Sequence, residues 1–392
     1  MIVVLLFMLT CGAINWGYAY PMALVLIVLL RPVFIGRPVF FNFLNSCGFW
    51  LILFAGMSYA AIGERSFVGV YHYGILPTIA YMIGWCAAEE RREEQVRDGI
   101  LALTIGFGVY AMLNVLINLG NTRYELIDFW TRSYRAATGS GVLNTMTVSC
   151  LLYTIVFEKR KAVKLLLLML LLFGLWYMFI LGTRTQFIIL LIVTVLGTAM
   201  LSYRKSGIVG MLKLTGVIAG VALGVLLILW KNVFSIRELL AGTNIVLRFS
   251  NHSSLMHSDI FRLRSFWIGL KELFVYPLGG RASQVYRHNM WLDVGRVSGM
   301  IPFSLLLAYS VVCFSRMWKI YSNKNVLEGL RYLLFFLYIG AYANFFVEPI
   351  WEGQLNFFLA MCVIDGMVNA MIRGLPYESD SGESISPASG LR

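Results

Sequence analysis

Apolar runs of about 18 or more residues recur along the chain between short polar connections, a pattern that predicts membrane-spanning helices. Residues 3–30 are apolar apart from a weak centre at Asn15-Trp16-Gly17 and form either one long tilted helix or two short ones. Further spans are expected at roughly 38–61, 70–88, 99–119, 140–157, 165–182, 186–202, 208–230, 295–316, 331–347 and 354–372. The total is about 11 spans, or 12 if the first divides. A transmembrane barrel would show segments of about ten alternating residues, and the chain has none. The first segment lacks a basic leader and an A-x-A-like cleavage site and reads as a retained helix. The expected fold is all-α: a polytopic integral membrane protein with a single helical domain over residues 1–373. It carries one large outside loop between about 231 and 294. The tail 374–392, rich in Ser, Gly, Pro and acid, reads as disordered.

The polar connections assign two sides. Arg31 and Arg37, Arg91, Arg92 and Arg97, Lys159 to Lys164, Arg204 and Lys205, and Arg316 to Lys324 fall on one side if the spans alternate. By the positive-inside rule that side is cytoplasmic. Loops near 62–69, 120–139, 183–185, 231–294 and 348–353 then face the other way. Two of these break the charge rule. The 120–139 loop carries Arg123, Arg132 and Arg135, and residues 231–287 carry eight Lys/Arg against three acids. Long loops translocate regardless of charge, but outside cations have no anionic leaflet to meet and call for another use.

Composition agrees with the membrane reading: 59% hydrophobic and only 13% charged residues, where a soluble domain has roughly 25%. The net charge of +12 is largely that of the inward loops. All six cysteines lie in apolar segments, and no Cys-x-x-Cys or Cys/His cluster suggests a metal or a disulfide framework.

The stretch Arg281-Ala282-Ser283-Gln284-Val285-Tyr286-Arg287-His288-Asn289-Met290-Trp291-Leu292-Asp293 holds the most chemistry. His288, one of four histidines, suits general base work on a hydroxyl because imidazole titrates near neutrality. Asn289 can orient that hydroxyl, and Asp293 follows about one helical turn later. Arg184, in the short turn Gly182-Thr183-Arg184-Thr185, is either a snorkelling helix-end cation or a bidentate fork for phosphate. Arg135, Arg262, Arg264 and Arg287 join Asn289 as candidate substrate-binding residues. Phe261, Trp267, Leu270 and Leu273 are spaced for an amphipathic helix lying at the interface. His252 and His257 lack a third ligand. Asp365, inside the last span, is expected to face the bundle interior.

On three motifs the chain resembles the O-antigen polymerase/O-antigen ligase superfamily of bacterial envelope glycosyltransferases, over about residues 135–315. These are the Gly182-Thr183-Arg184-Thr185 turn, the Arg264…Trp267…Gly269-Leu270…Pro277-Leu278-Gly279 pattern, and His288-Asn289-x9-Gly299. The ligase form continues to Gly, Thr or Tyr three residues after that glycine, where this chain has Pro302. The resemblance implies a metal-independent glycosyltransferase without cofactor, in the bacterial inner membrane, with its active site facing the periplasm. The implied donor is a glycan on polyprenyl pyrophosphate, and the acceptor a glycan or lipid-linked glycan. Membrane lipid and a chain-length regulator protein are further implied partners, and nucleic acid is not. His288 and Arg184 are then the expected catalytic residues. The expected function is polymerisation of repeat units into O-antigen, capsule or exopolysaccharide. Alternatives are a ligase moving glycan onto lipid A-core and, from another class, a transporter of a lipid-linked or anionic solute.

Overall fold

The computed structural model describes residues 1–13, 16–36, 42–118, 125–230 and 252–374. Among them nine helices are long and apolar enough to cross a membrane, and a shorter apolar helix covers Gly17–Val33. The protein is a polytopic α-helical membrane protein. The strands among the described residues, β1 (Glu125–Ile127) and β2 (Tyr134–Ala136), form one antiparallel hairpin that sets Leu126 opposite Arg135.

The first apolar segment is two helices, α1 (Ile2–Thr10) and α2 (Trp16–Ile35). They part at Gly12, which has φ +75°; a Cβ there would stand 2.7 Å from the Trp130 indole. At nine residues, α1 is about 13 Å long and cannot cross a bilayer alone. Instead it packs along another helix, with the Thr10 hydroxyl donating to the Leu103 carbonyl at 2.8 Å.

The chain continues through α3 (Cys47–Glu64), α4 (Phe67–Ala88), α5 (Glu93–Leu116), α6 (Ala137–Ser149), α7 (Leu151–Val156) and α8 (Lys161–Leu181). Next comes α9 (Arg184–Trp230), whose arms part at Gly207 (φ 59°, ψ −146°), between the spans expected at 186–202 and 208–230. Then come α10 (His252–Val275), α11 (Met290–Ser298), α12 (Met300–Ser322), α13 (Glu328–Val347), α14 (Ile350–Gly353) and α15 (Leu355–Gly374). The expected loop over 231–294 is therefore structured in its second half, while residues 231–251 lie outside the described residues, as do 375–392 of the expected tail. The span expected at 295–316 starts instead at Met300. Gly299 adopts φ 84° and ψ −165°, a conformation open essentially to glycine alone, and it splits one apolar run into two helices.

In the core, α4 and α15 touch backbone to backbone. A Cβ on Gly84 would meet the Val363 carbonyl oxygen at 1.8 Å, and one on Gly366 would meet that of Tyr81 at 2.1 Å. Close approach through small residues is how helices associate in lipid. Asp365 does lie inside, buried and accepting hydrogen bonds from the hydroxyls of Tyr309 and Tyr338. Its carboxylate thereby links α12, α13 and α15.

Alternating helix directions bring the connections to two ends. At one, Arg31 pairs with Glu89 at 2.8 Å, Arg160 with Asp98 at 2.8 Å and Glu158 at 3.0 Å, and Arg204 donates to the Tyr321 carbonyl at 3.0 Å. At the other, Ser298 donates to the Tyr59 carbonyl at 2.9 Å, and Arg262, on α10, reaches Thr185 and Glu348. The charged connections called inward by the sequence share the first end; His288 is at the second.

Candidate functional site

Helix α11 orients the stretch before it. The Asn289 side chain caps the helix, accepting the Leu292 N–H at 3.1 Å, which answers one of the orphan donors of the first turn. Asp293, fully buried, turns its carboxylate back on the chain and accepts the N–H of Arg287 at 2.6 Å and that of Asn289 at 3.2 Å. One carboxylate thus holds the amides on both sides of His288. Between them His288 sits at φ +54°, a left-handed conformation that costs a non-glycine residue about 1–2 kcal/mol. Strain of this kind persists only where the surroundings over-determine it.

The imidazole is half-buried, and its Nδ1 has no hydrogen-bond partner among the described residues. Burial, aided by the nearby Arg262 cation, pulls its pKa down to about 4, so the ring is neutral at physiological pH and can accept a proton or a hydrogen bond. Arg262 donates to the Thr185 hydroxyl at 3.2 Å and lies 3.6 Å from the Glu348 carboxylate. Glu348, at the end of α13, is 5% exposed. Burial pushes its carboxyl up, opposed by Arg262 and by a hydrogen bond with Thr185.

Thr185 comes from the Gly182 turn. Gly182 closes α8 in the left-handed region (φ 63°, ψ 40°), so the chain reverses in two residues. Arg184 then opens α9, half-buried, where the positive end of the helix dipole favours an anion. On the elements that meet here, polar atoms are buried without hydrogen-bond partners among the described residues: both amide atoms of Gln186 and of Asn344, Gln354 Oε1, Ser140 Oγ and Thr183 Oγ1. Two glycines of α6 admit two of these side chains. A Cβ on Gly139 would lie 2.2 Å from Gln354 Nε2, and one on Gly141 2.6 Å from Gln186 Oε1. Unsatisfied buried groups cost about 1–3 kcal/mol each, and a hydroxyl-rich polar ligand would answer them.

The structure therefore brings together His288, Arg262 and the turn that carries Arg184. The other expected binding residues are placed otherwise. Arg287 is buried in a forked pair with Glu272 at 2.8 and 3.0 Å, and Asn289 spends its side chain on the helix cap and the Phe346 carbonyl. Both hold the loop. Arg264, two residues along α10 from Arg262, is exposed and shares an outer face with Leu263, Trp267, Ile268 and Lys271. That face shares only Trp267 with the expected amphipathic stripe: Leu273 is buried against α11, where a Cβ on Gly295 would meet it at 2.2 Å, and the side chain of Phe261 lies outside the described residues. The side chains of Arg135, His252 and His257 lie outside the described residues. No group of three potential metal ligands occurs among the described residues.

Sequence reasoning missed Arg296, Glu348 and Glu352. Arg296 is 2% exposed and forks onto Glu352 at 2.9 and 3.0 Å. Its other nitrogen donates to the carbonyls of Arg281, Ala282 and Gln284 at 2.8–2.9 Å, strapping the loop over α11. Burial and the charge of Asp293 raise the Glu352 carboxyl to about 7 against the pull of Arg296. A signal existed: Glu348 and Glu352 are the only acids between Glu328 and Asp365, and Arg296 interrupts an apolar run. No protein-family model matches the chain, and no curated protein matches it.

Proposed function

We propose that the protein is a polymerase joining polyprenyl-pyrophosphate-linked oligosaccharide repeat units into an O-antigen, capsular or exopolysaccharide chain. The observation that carries this reading is the meeting of a neutral, unpartnered imidazole with Arg262, Thr185 and the N-terminus of α9. An acceptor hydroxyl attacks the anomeric carbon of the donor while His288 accepts its proton, a contribution of about 10²–10⁴-fold. The glycosidic oxygen bond breaks, and the lipid pyrophosphate departs onto Arg184 and Arg262, which stabilise the growing negative charge. Donor binding also tunes the base. A pyrophosphate beside Arg262 offsets one of the two causes that depress the His288 pKa, so the imidazole gains basicity when the donor is seated.

In this reading the chain has 11 or 12 spans in the bacterial inner membrane. The end bearing His288, with the loop 231–294, faces the periplasm. The test is the surface glycan of a deletion strain. A single repeat unit on the acceptor supports the polymerase. Unattached glycan with accumulated lipid-linked polymer identifies a ligase, and unchanged glycan overturns both.

A further inference from the structure

At the end of the bundle opposite His288, a cavity of about 810 Å³ opens between the N-terminal turn of α13, the connection from α7 to α8, and α9. Four cations line it, Arg97, Lys159, Arg160 and Arg204, against two acids, Glu158 and Glu328. Glu158 is spent on Arg160 at 3.0 Å, and Arg160 and Arg97 share Asp98 at 2.8 and 3.1 Å. With Asp98 the cations exceed the acids by one, and Lys159 and Arg204 are left without an ion pair among the described residues, as is Glu328. Lys159 is exposed. The Arg204 guanidinium lies 4.4 Å from the centroid of the Tyr321 ring and 5.6 Å from that of Tyr332.

A third observation points the same way. Arg331, next in the chain to the wall residue Tyr332, is 6% exposed, and its Nε and Nη1 have no acceptor among the described residues. Its charge and that of Arg204 both bear on Tyr321. Arg331 does not line the cavity itself; its charge adds to the positive potential behind the Tyr332 wall. The rest of the wall is apolar. Phe157 stacks on Tyr332 at 4.7 Å, and Val156 is 53% exposed on the bundle surface, where it faces acyl chains.

We propose that this cavity holds the phosphate head group of an acidic phospholipid from the adjoining leaflet, with the phosphate between Lys159 and Arg204 and an acyl chain along Val156. Basic pockets between helices on the anionic-lipid side are suited to this. The apolar wall distinguishes a lipid from a free phosphate, which would gain nothing from it.

The test uses the full-length protein in nanodiscs of phosphatidylcholine with or without phosphatidylglycerol of the same acyl chains. Retained lipid is read by native mass spectrometry after extraction. The wild type is expected to keep phosphatidylglycerol with about tenfold preference. Arg204→Gln should abolish the preference. Lys159→Glu, which breaks no ion pair and leaves the fold intact, should lower it several-fold, while Arg65→Gln at the opposite end leaves it unchanged. Equal retention of both lipids by the wild type would overturn the proposal, as would an unchanged preference in both cavity variants. Thermal stabilisation by inorganic phosphate equal to that by phosphatidylglycerol would identify a small-anion site and overturn the lipid assignment.

Discussion

Removing the Arg262 charge by Arg262→Gln should destabilise the protein in a pH-dependent way that a second substitution repairs. The Glu348 side chain is 6% exposed, that of Arg262 35%, and the two lie 3.6 Å apart. Coulomb attraction at that distance has a ceiling of about 4–5 kcal/mol at an effective dielectric of about 20. Solvent around Arg262 reduces the net loss to about 1–2 kcal/mol. Burial already raises the Glu348 carboxyl above its unfolded value, and Arg262 opposes that rise. Without Arg262 the folded value climbs further. A carboxyl with a raised folded pKa contributes stability at low pH that is lost as pH rises through that value. The deficit of Arg262→Gln against wild type should therefore be small near pH 5 and grow towards pH 8. His288 acts in the same sense. Its folded pKa is depressed, so it costs stability as pH falls below the ordinary imidazole range. Losing Arg262 relieves part of that cost at low pH. The assay is thermal unfolding of the purified variants in detergent across this range, with an expected deficit at pH 8 of roughly 2–4 °C per kcal/mol. Adding Glu348→Gln to Arg262→Gln removes the orphaned carboxylate and should recover most of the loss. A deficit that is flat with pH and unrepaired by Glu348→Gln would refute the pairing.

Other outcomes are as sharp. His288→Gly should abolish polymerisation of lipid-linked repeat units while raising or preserving the melting temperature, because glycine relieves the left-handed strain; retained turnover would remove His288 from the mechanism. Arg184→Lys should lose most activity at equal protein level, since an ammonium cannot reproduce a guanidinium fork, and normal polymer would leave only a helix-end cation. Gly299→Ala should cost more than about 3 kcal/mol and abolish accumulation of folded protein, because its Cβ would stand 2.1 Å from the Pro277 carbonyl oxygen; wild-type stability would contradict the break. Cysteines placed at Ser254 and Ser322 should label from opposite sides of the membrane, and equal labelling from outside intact cells would refute the orientation.

Hydropathy showed the spans because a helix in lipid must be apolar along its length. The same averaging hid the break at Gly299, where apolar residues continue on both sides of a backbone that changes direction. It left the first segment open between one helix and two, since a nine-residue helix supported by a neighbour looks like part of a longer one, and the division falls at Gly12, a few residues before the weak polar centre at Asn15. At the site, His288 and the Gly182 turn stood out as polar residues where polarity is costly. Arg287 and Asn289 stood out for the same reason but are satisfied by Glu272 and by the helix cap. Sequence shows a polar group without showing whether its neighbours have already claimed it. The pairing of Arg262 with Glu348 spans 86 positions (348 − 262), and only the fold brings them together.

Arg296 holds the loop before His288 by main-chain oxygens, those of Arg281, Ala282 and Gln284, and the side chain of that loop it meets is Tyr286, whose ring centroid lies 5.4 Å from its guanidinium. Residues 282–286 present their own side chains to solvent. The clamp is therefore indifferent to the side chains of residues 282–285. Size, charge and hydrogen-bonding pattern at the rim can be exchanged while the imidazole keeps its place. A library randomised at Ala282, Ser283 and Val285 would vary what the rim recognises on an unaltered scaffold.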